Sequence, residues 1–285
     1  MKKGIKLLSI VAFVGLLLVG VQSASASTTT YSVKSGRQYN SRVIKSKGWR
    51  LWNKPYVKGA KSVRKAGNLA GKLMQVNQVA KKGQTAYFQL SRRGYNYGWI
   101  NATAVKLPTS YVLPYTYTSQ LSPTYAPNAC EAASLKMALS VKGIATKTSL
   151  KTIINRMPKA KTPNKGFVGN PYTESRPGET RTIYPAPLTK YAKTYDQLAT
   201  NITGASKVQL IREVKRGNAV VFAGAWRMQQ QRPYHVLTLV GYKHGKFLVA
   251  DPYMKKGWPN KVYWTSTRNF MTVYHSRHSR AITIR

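Results

Sequence analysis

The chain has 285 residues, with 47 lysines and arginines against six acidic residues and one cysteine. A formal charge of +41 favours anionic partners and repels cations. One cysteine excludes an intramolecular disulfide, and so few carboxylates leave no acidic calcium loop and little choice for paired-carboxylate glycosidase chemistry.

The N-terminus reads as a secretory signal. Lys2, Lys3 and Lys6 form a basic start, Leu7 to Val21 is a mostly apolar run, and Ala24-Ser25-Ala26 is a small-residue cleavage site. Residues 1–26 are therefore expected to be removed. The apolar run falls short of the ~20 residues of a comfortable span, and no second one follows, so no transmembrane segment is expected in the mature chain. For an exported chain the anionic partners are wall polymers such as teichoic acid, acidic polysaccharide or lipid headgroups, and no nucleic acid is expected. The lysines are spread along the chain, which makes the charge a global bias and not a groove.

Residues 27–107 read as a small all-β module. Short runs such as Tyr31-Ser32-Val33, Arg50-Leu51-Trp52, Leu73-Met74-Gln75-Val76 and Ala86-Tyr87-Phe88-Gln89-Leu90 are separated by Gly, Asn and Lys turns. Leu51-Trp52-Asn53-Lys54-Pro55-Tyr56, Ala86 to Leu90 and the closing Gly98-Trp99-Ile100 resemble a Gly-Trp (GW) type, SH3-like bacterial wall-binding module. That resemblance implies retention at the wall through lipoteichoic acid or peptidoglycan. Trp99 is read as a core residue that closes the barrel. A single module would retain weakly, because such binding gains from repetition. Residues 108–118, rich in Pro and Tyr, read as an extended linker.

Residues 119–285 read as an α+β domain, helices first and an antiparallel sheet afterwards. Cys130 follows the Pro127-Asn128-Ala129 turn and opens a helix whose buried face is Ala132, Leu135 and Met137-Ala138-Leu139. A thiol at a helix start has its thiolate favoured by the orphan N–H groups and the helix dipole. Leu150 to Met157 is a second helix, stopped by Pro158. Residues 158–186 read as a long irregular loop, of a length that usually marks a functional lid or a disordered segment. A short helix through Tyr191 and Ala192 follows, then an amphipathic helix from Lys207 to Gly217. Ala219 to Gly224, His235 to Tyr242 and Lys246 to Pro252 are strands, the last two joined by a Lys243-His244-Gly245 turn. Lys261 to Trp264 and the run from Ala281 form a last strand pair.

A thiol at a helix start, a histidine opening an interior strand and an aspartate ending the next strand supply nucleophile, base and orienter. Adjacent antiparallel strands lie ~4.8 Å apart, so Asp251 can hold one nitrogen of His235 while the other faces Cys130. The alternatives are an inert core thiol, a strand histidine with satisfied bonds, and an Asp-Pro turn start. Glu131 reads as structural or as a salt-bridge partner. His244 in its turn, and His275 and His278 in a basic tail, read as solvated. Trp226, Trp258 and Trp264 read as core residues or as cleft lining. Four histidines without close-spaced partners give no zinc pattern, and no glycine-rich phosphate loop appears, so neither metal nor cofactor is expected.

Five motifs in order resemble the secreted members of the bacteriocin-processing-like (double-glycine peptidase-like), papain-like cysteine peptidases. They are Asn128 to Leu139, Gly166-Phe167-Val168-Gly169, Ile183 to Leu188, His235 to Tyr242 and Ala250-Asp251-Pro252. The family usually has Gly where this chain has Ala129. The resemblance implies Cys130 as nucleophile, His235 as base, Asp251 as orienter, and Gln120, ten residues ahead of the cysteine, as an oxyanion donor. The substrate class implied is a peptide or a peptidoglycan-type amide. Two other readings are a non-catalytic wall-binding protein that keeps the fold, and a surface protein retained by charge alone.

Overall fold

The computed structural model describes residues 28–33, 38–43, 48–55, 58–254 and 261–285. The expected signal segment 1–26, Tyr56 and Trp258 lie outside these residues. The chain divides into two compact units, with the boundary between Pro108 and Thr109.

The first unit is antiparallel β. Its strands are β1 (Thr29–Ser32), β2 (Tyr39–Val43), β3 (Arg50–Trp52), β4 (Ser62–Lys65), β5 (Leu73–Lys82), β6 (Thr85–Arg92), β7 (Tyr95–Asn101) and β8 (Val105–Lys106). They pair in the order β4-β3-β7-β6-β5-β2-β8, with β1 added on β5. β5 carries an extra residue, Asn77, between its pairs Val76↔Leu90 and Gln78↔Gln89. That bulge bends the strand, so β5 pairs first with β2 and then with β1 along the same edge. Its inward residues Met74, Val76 and Val79 join Leu51, Phe88, Leu90 and Ile100 in one apolar core.

The Gly98-Trp99 dipeptide has a steric explanation. Gly98 has φ +106°, and a Cβ there would lie 2.7 Å from the Trp52 carbonyl oxygen. Only glycine allows β7 to approach β3 so closely. Trp99, 4% exposed, then packs on Trp52, Ala80 and Tyr87. It is a core residue, as its apolar bulk predicts.

The second unit is α+β. In chain order it contains β9 (Ser110–Val112), α1 (Cys130–Val141), α2 (Leu150–Arg156), α3 (Pro185–Ala192), β10 (Thr200–Asn201), α4 (Lys207–Lys215), β11 (Val220–Ala225), β12 (Tyr234–Lys243), β13 (Lys246–Ala250), β14 (Val262–Ser266), α5 (Thr267–Ser276) and β15 (Ala281–Thr283). The sheet runs β10-β15-β11-β12-β13-β14, with β9 also on β12. Every pairing is antiparallel.

Helix α1 is buried at every position except Lys136. It lies against β12: Ser134 Oγ donates to the Val236 carbonyl at 3.1 Å, and Thr238 Oγ1 donates to the Ser134 carbonyl at 3.1 Å. These reciprocal bonds fix the rotation and height of the helix on the strand. α4 starts with a capping box between Ser206 and Gln209, which satisfies two orphan amide groups.

The segment 108–118, read as an extended linker that can run along the second domain, groups with the second unit from Thr109, and β9 pairs with Gly241 to Lys243. Two sequence-based expectations change. The last two strands do not pair with each other. β14 pairs with β13, and β15 pairs with β11 and β10. Between them stands α5, where a basic tail was expected. Phe270, Val273 and Tyr274 are buried at helical spacing, and Phe270 packs on Phe222 and Phe247. The polar residues around them hide a strongly amphipathic face.

Candidate active site

Cys130 is the first residue of α1, and Ala129 before it offers no side-chain cap. The orphan amides of the first turn therefore face the thiol region. His235 is the second residue of β12 and is buried. Asp251 follows the last residue of β13 and is fully buried.

His235 Nε2 and Asp251 Oδ1 stand 2.7 Å apart. The same oxygen accepts the Tyr253 backbone N–H at 2.9 Å. Tyr117 donates its hydroxyl to the Asp251 carbonyl at 2.7 Å, and the Asp251 N–H donates to the Lys261 carbonyl at 2.9 Å. The ring of Tyr253 stands edge-on to the imidazole, with centroids 6.1 Å apart and planes at 85°. The imidazole is thus held at one nitrogen and flanked by an aromatic ring.

A bulge creates this pairing. From the turn, Lys243↔Lys246, Tyr242↔Phe247 and Gly241↔Leu248 are opposed; then the register slips, and Leu239↔Val249 and Thr238↔Ala250 are opposed. Val240 is the extra residue. With the slip, extending the ladder by one step sets Asp251 opposite Leu237. His235 lies two residues further on, on the same face, at diagonal distance. Without the slip, Asp251 would oppose Thr238, and His235 would point to the other face. Gly241 permits the bulge beside β9, since a Cβ there would lie 2.6 Å from the Tyr111 carbonyl oxygen.

The thiol differs from its sequence-based expectation. Cys130 Sγ lies 3.3 Å from Glu131 Oε2 and donates to it. Burial first, and the Glu131 carboxylate second, push the thiol well above its ordinary range, and the Val236 backbone N–H opposes them only in part. Burial and Glu131 thus oppose the thiolate that a helix terminus favours. The thiol's hydrogen bond runs to Glu131, not to the imidazole. His235 precedes Val236, whose backbone N–H lowers the thiol pKa and whose carbonyl accepts the hydroxyl of Ser134, one turn beyond Cys130 on α1.

Glu131 is the residue that sequence reasoning underrated. It forms no salt bridge among the described residues. Its Oε1 accepts the Thr182 hydroxyl and, at 3.2 Å, the Ile183 N–H. Burial raises its pKa, and the Thr182 bond lowers it. One carboxylate therefore ties the end of the 158–184 loop to the start of α1 and to the thiol. The available signal was an acid in the middle of a run that buries every neighbour.

Gln120 is fully buried. Its N–H donates to the Pro252 carbonyl at 3.0 Å, beside Asp251, and its carbonyl accepts the Ala126 N–H at 2.8 Å. Its Nε2 donates to the Pro127 carbonyl at 2.7 Å and, weakly at 3.4 Å, to that of Ala126. The turn 120–126 thus brings Gln120 back beside the residues just ahead of Cys130, despite nine intervening positions. Its Oε1 is buried and has no partner among the described residues.

The other histidines are remote from this chemistry. His244 is exposed in the β12–β13 turn, and His275 Nδ1 meets Ser279 Oγ at 2.8 Å. Trp226 is half-buried beside the Arg227 and Arg232 guanidinium groups, and Trp264 packs on Met137, Val240 and Leu248. Among the described residues no group of three His, Cys, Asp or Glu side chains could hold a metal ion. No described helix is long and apolar enough to cross a membrane.

Comparison with known proteins gives a family for each unit. Residues 112–282 match the model of the Peptidase_C39 like family, and residues 32–106 match that of the GW (Gly-Tryp) dipeptide domain. Among solved structures the chain is similar to a C39-like peptidase candidate from Bacillus anthracis, with 24% identity over 62% of this chain and 97% of that one and a TM-score of 0.53. An autolysin candidate from Listeria monocytogenes is 16% identical over 36% of this chain and 46% of that one, with a TM-score of 0.23. NlpC2 from Trichomonas vaginalis is 12% identical over 80% and 71%, with a TM-score of 0.18. No curated protein matches the chain.

Proposed function

The chain belongs to the Peptidase_C39 like family and carries a GW domain, and on that premise we propose that it is a secreted, wall-associated cysteine peptidase or amidase. Cys130 is the nucleophile, His235 the base and Asp251 the orienter. The observation that carries this reading is the 2.7 Å bond between buried His235 and Asp251, beside the helix start that bears the thiol.

The reaction is acyl transfer. Cys130 rotates from Glu131 toward the imidazole and gives its proton to His235. The sulfur attacks the substrate carbonyl. The Cys130 backbone N–H and a Gln120 amide proton hold the oxyanion, an effect worth ~3 kcal/mol per donor. For this, Gln120 gives up only its weak contact with Ala126. His235 then protonates the leaving amine, and a water activated by His235 releases the acyl group. Asp251 keeps the imidazole in one tautomer throughout.

In the first unit, the bulged and bent β5 and the Gly98 approach support an SH3-like module that binds anionic wall polymers such as teichoic acid. The mature chain would then comprise this module over residues 27–107, a short connection, and the peptidase domain to residue 285. The +41 charge suits such a location.

A peptidyl electrophile tests the reading. It should label Cys130, and labelling should fall at least about tenfold in His235→Ala, the scale of a lost general base. The inward-turned thiol favours one alternative, a non-catalytic wall-binding surface protein. Labelling that is indifferent to His235 would support that alternative and overturn the enzyme.

A further inference from the structure

The chain has six carboxylates, and five are committed. Glu131 binds Thr182 and Ile183, Glu179 pairs with Arg181, and Glu213 pairs with Arg285. Asp196 accepts the Leu198 and Arg285 backbone N–H groups, and Asp251 holds His235. Glu174 is the exception. It is exposed, forms no ion pair among the described residues, and accepts only the hydroxyl of Tyr125.

Its position is next to the catalytic groups. Asn128, two residues before Cys130, donates its backbone N–H to the Pro171 carbonyl at 3.1 Å and its Nδ2 to the Thr173 carbonyl at 2.6 Å. These bonds fasten the strip 171–174 beside the start of α1. Tyr125 belongs to the turn that leads into the same helix. Tyr253, whose ring stands against His235, is within electrostatic reach of both Glu174 and Tyr125. Glu174, Tyr125 and Tyr253 therefore line one rim from the loop to the imidazole.

In a chain of charge +41, cationic substrates are repelled at long range. An available carboxylate at this rim reverses that locally. We propose that Glu174 is a specificity residue for an ammonium group, and that the substrate is a peptide with a free amine close to the scissile carbonyl. The amine is a chain terminus or the side chain of a basic diamino acid. The aromatic rings of Tyr125 and Tyr253 add an apolar and cation-attracting wall beside it. This inference rests on the cysteine hydrolase reading above and names the substrate class for that site.

The test uses the full chain and a pool of short peptides. One position in each is lysine or Nε-acetyl-lysine, and the N-terminus is free or acetylated, so the two sources of an amine are separated. Wild type should cleave one amine-bearing form with kcat/KM about three- to fivefold above its acetylated partner, the scale of a partly exposed ion pair. Glu174→Gln keeps an acceptor for the Tyr125 hydroxyl and removes only the charge. It should abolish the preference, chiefly by raising the KM of the amine-bearing form toward that of its acetylated partner. Wild-type preference should also shrink as salt rises. A preference unchanged in Glu174→Gln, or absent in wild type, overturns the inference while the hydrolase stands. A second measurement separates the two claims: in a Cys130→Ala background, Glu174→Gln should still weaken binding of the amine peptide relative to the acetylated one. Equal binding there overturns the ammonium subsite, whereas loss of all Cys130-dependent cleavage overturns the hydrolase.

Discussion

His235 and Asp251 meet at 2.7 Å because Val240 is an extra residue in the strand that carries the histidine. A single unpaired residue decides which face of the sheet the imidazole occupies. Asp251→Asn preserves shape and burial but lets the imidazole take the wrong tautomer. Turnover should fall by a factor on the order of 100 or more, with the fold intact by circular dichroism. Retained kcat would remove Asp251 from the mechanism.

Gly241 is the steric condition for the bulge. A Cβ there meets the Tyr111 carbonyl at 2.6 Å and Leu248 Cβ at 2.9 Å, and both neighbours are packed. Gly241→Ala should destabilise the second unit by about 1–3 kcal/mol and lower kcat as the His235–Asp251 alignment shifts. A denaturation midpoint and a single-turnover rate check the two effects. An unchanged midpoint would show that β9 yields freely.

The Glu131 carboxylate raises the Cys130 pKa, second only to burial. Glu131→Gln removes that charge and keeps an acceptor for Thr182. The pH profile of Cys130 alkylation should therefore move to lower pH, not higher. Burial also raises the pKa of Glu131 itself. Its contribution to stability is then full below the ordinary carboxylate value, ~4.3, and is lost as pH rises through the folded value. Glu131→Gln should flatten the fall in stability over that window, as measured by denaturant midpoints. A steeper slope would contradict the sign.

Trp99 is 4% exposed, so Trp99→Ala should destabilise the first unit by about 3–5 kcal/mol. Retention on isolated walls should fall with it, and a chain lacking residues 27–107 should be lost from the walls. Unchanged retention after that deletion would assign wall binding to charge alone.

The readable part of this chain was what periodicity and chemistry encode locally. Cys130 after a turn and before a buried run, His235 and Asp251 at one end of a hairpin, and the Gly98-Trp99 dipeptide all carry short-range signals. The Val240 slip does not, because a bulge depends on what the neighbouring strands require. Helix α5 was hidden because only Phe270, Val273 and Tyr274 mark its apolar face, among residues that read as a basic tail. The direction of the thiol was hidden too. The helix terminus favours a thiolate, but burial and the adjacent Glu131 outweigh it, and burial is a property of the folded chain.

The most direct test compares the wild-type chain with Cys130→Ala on one mixed pool of peptides and muropeptides, reading new amines and product masses. New products should appear with the wild type and vanish with Cys130→Ala. Identical products from both proteins, or none from either, would contradict the hydrolase.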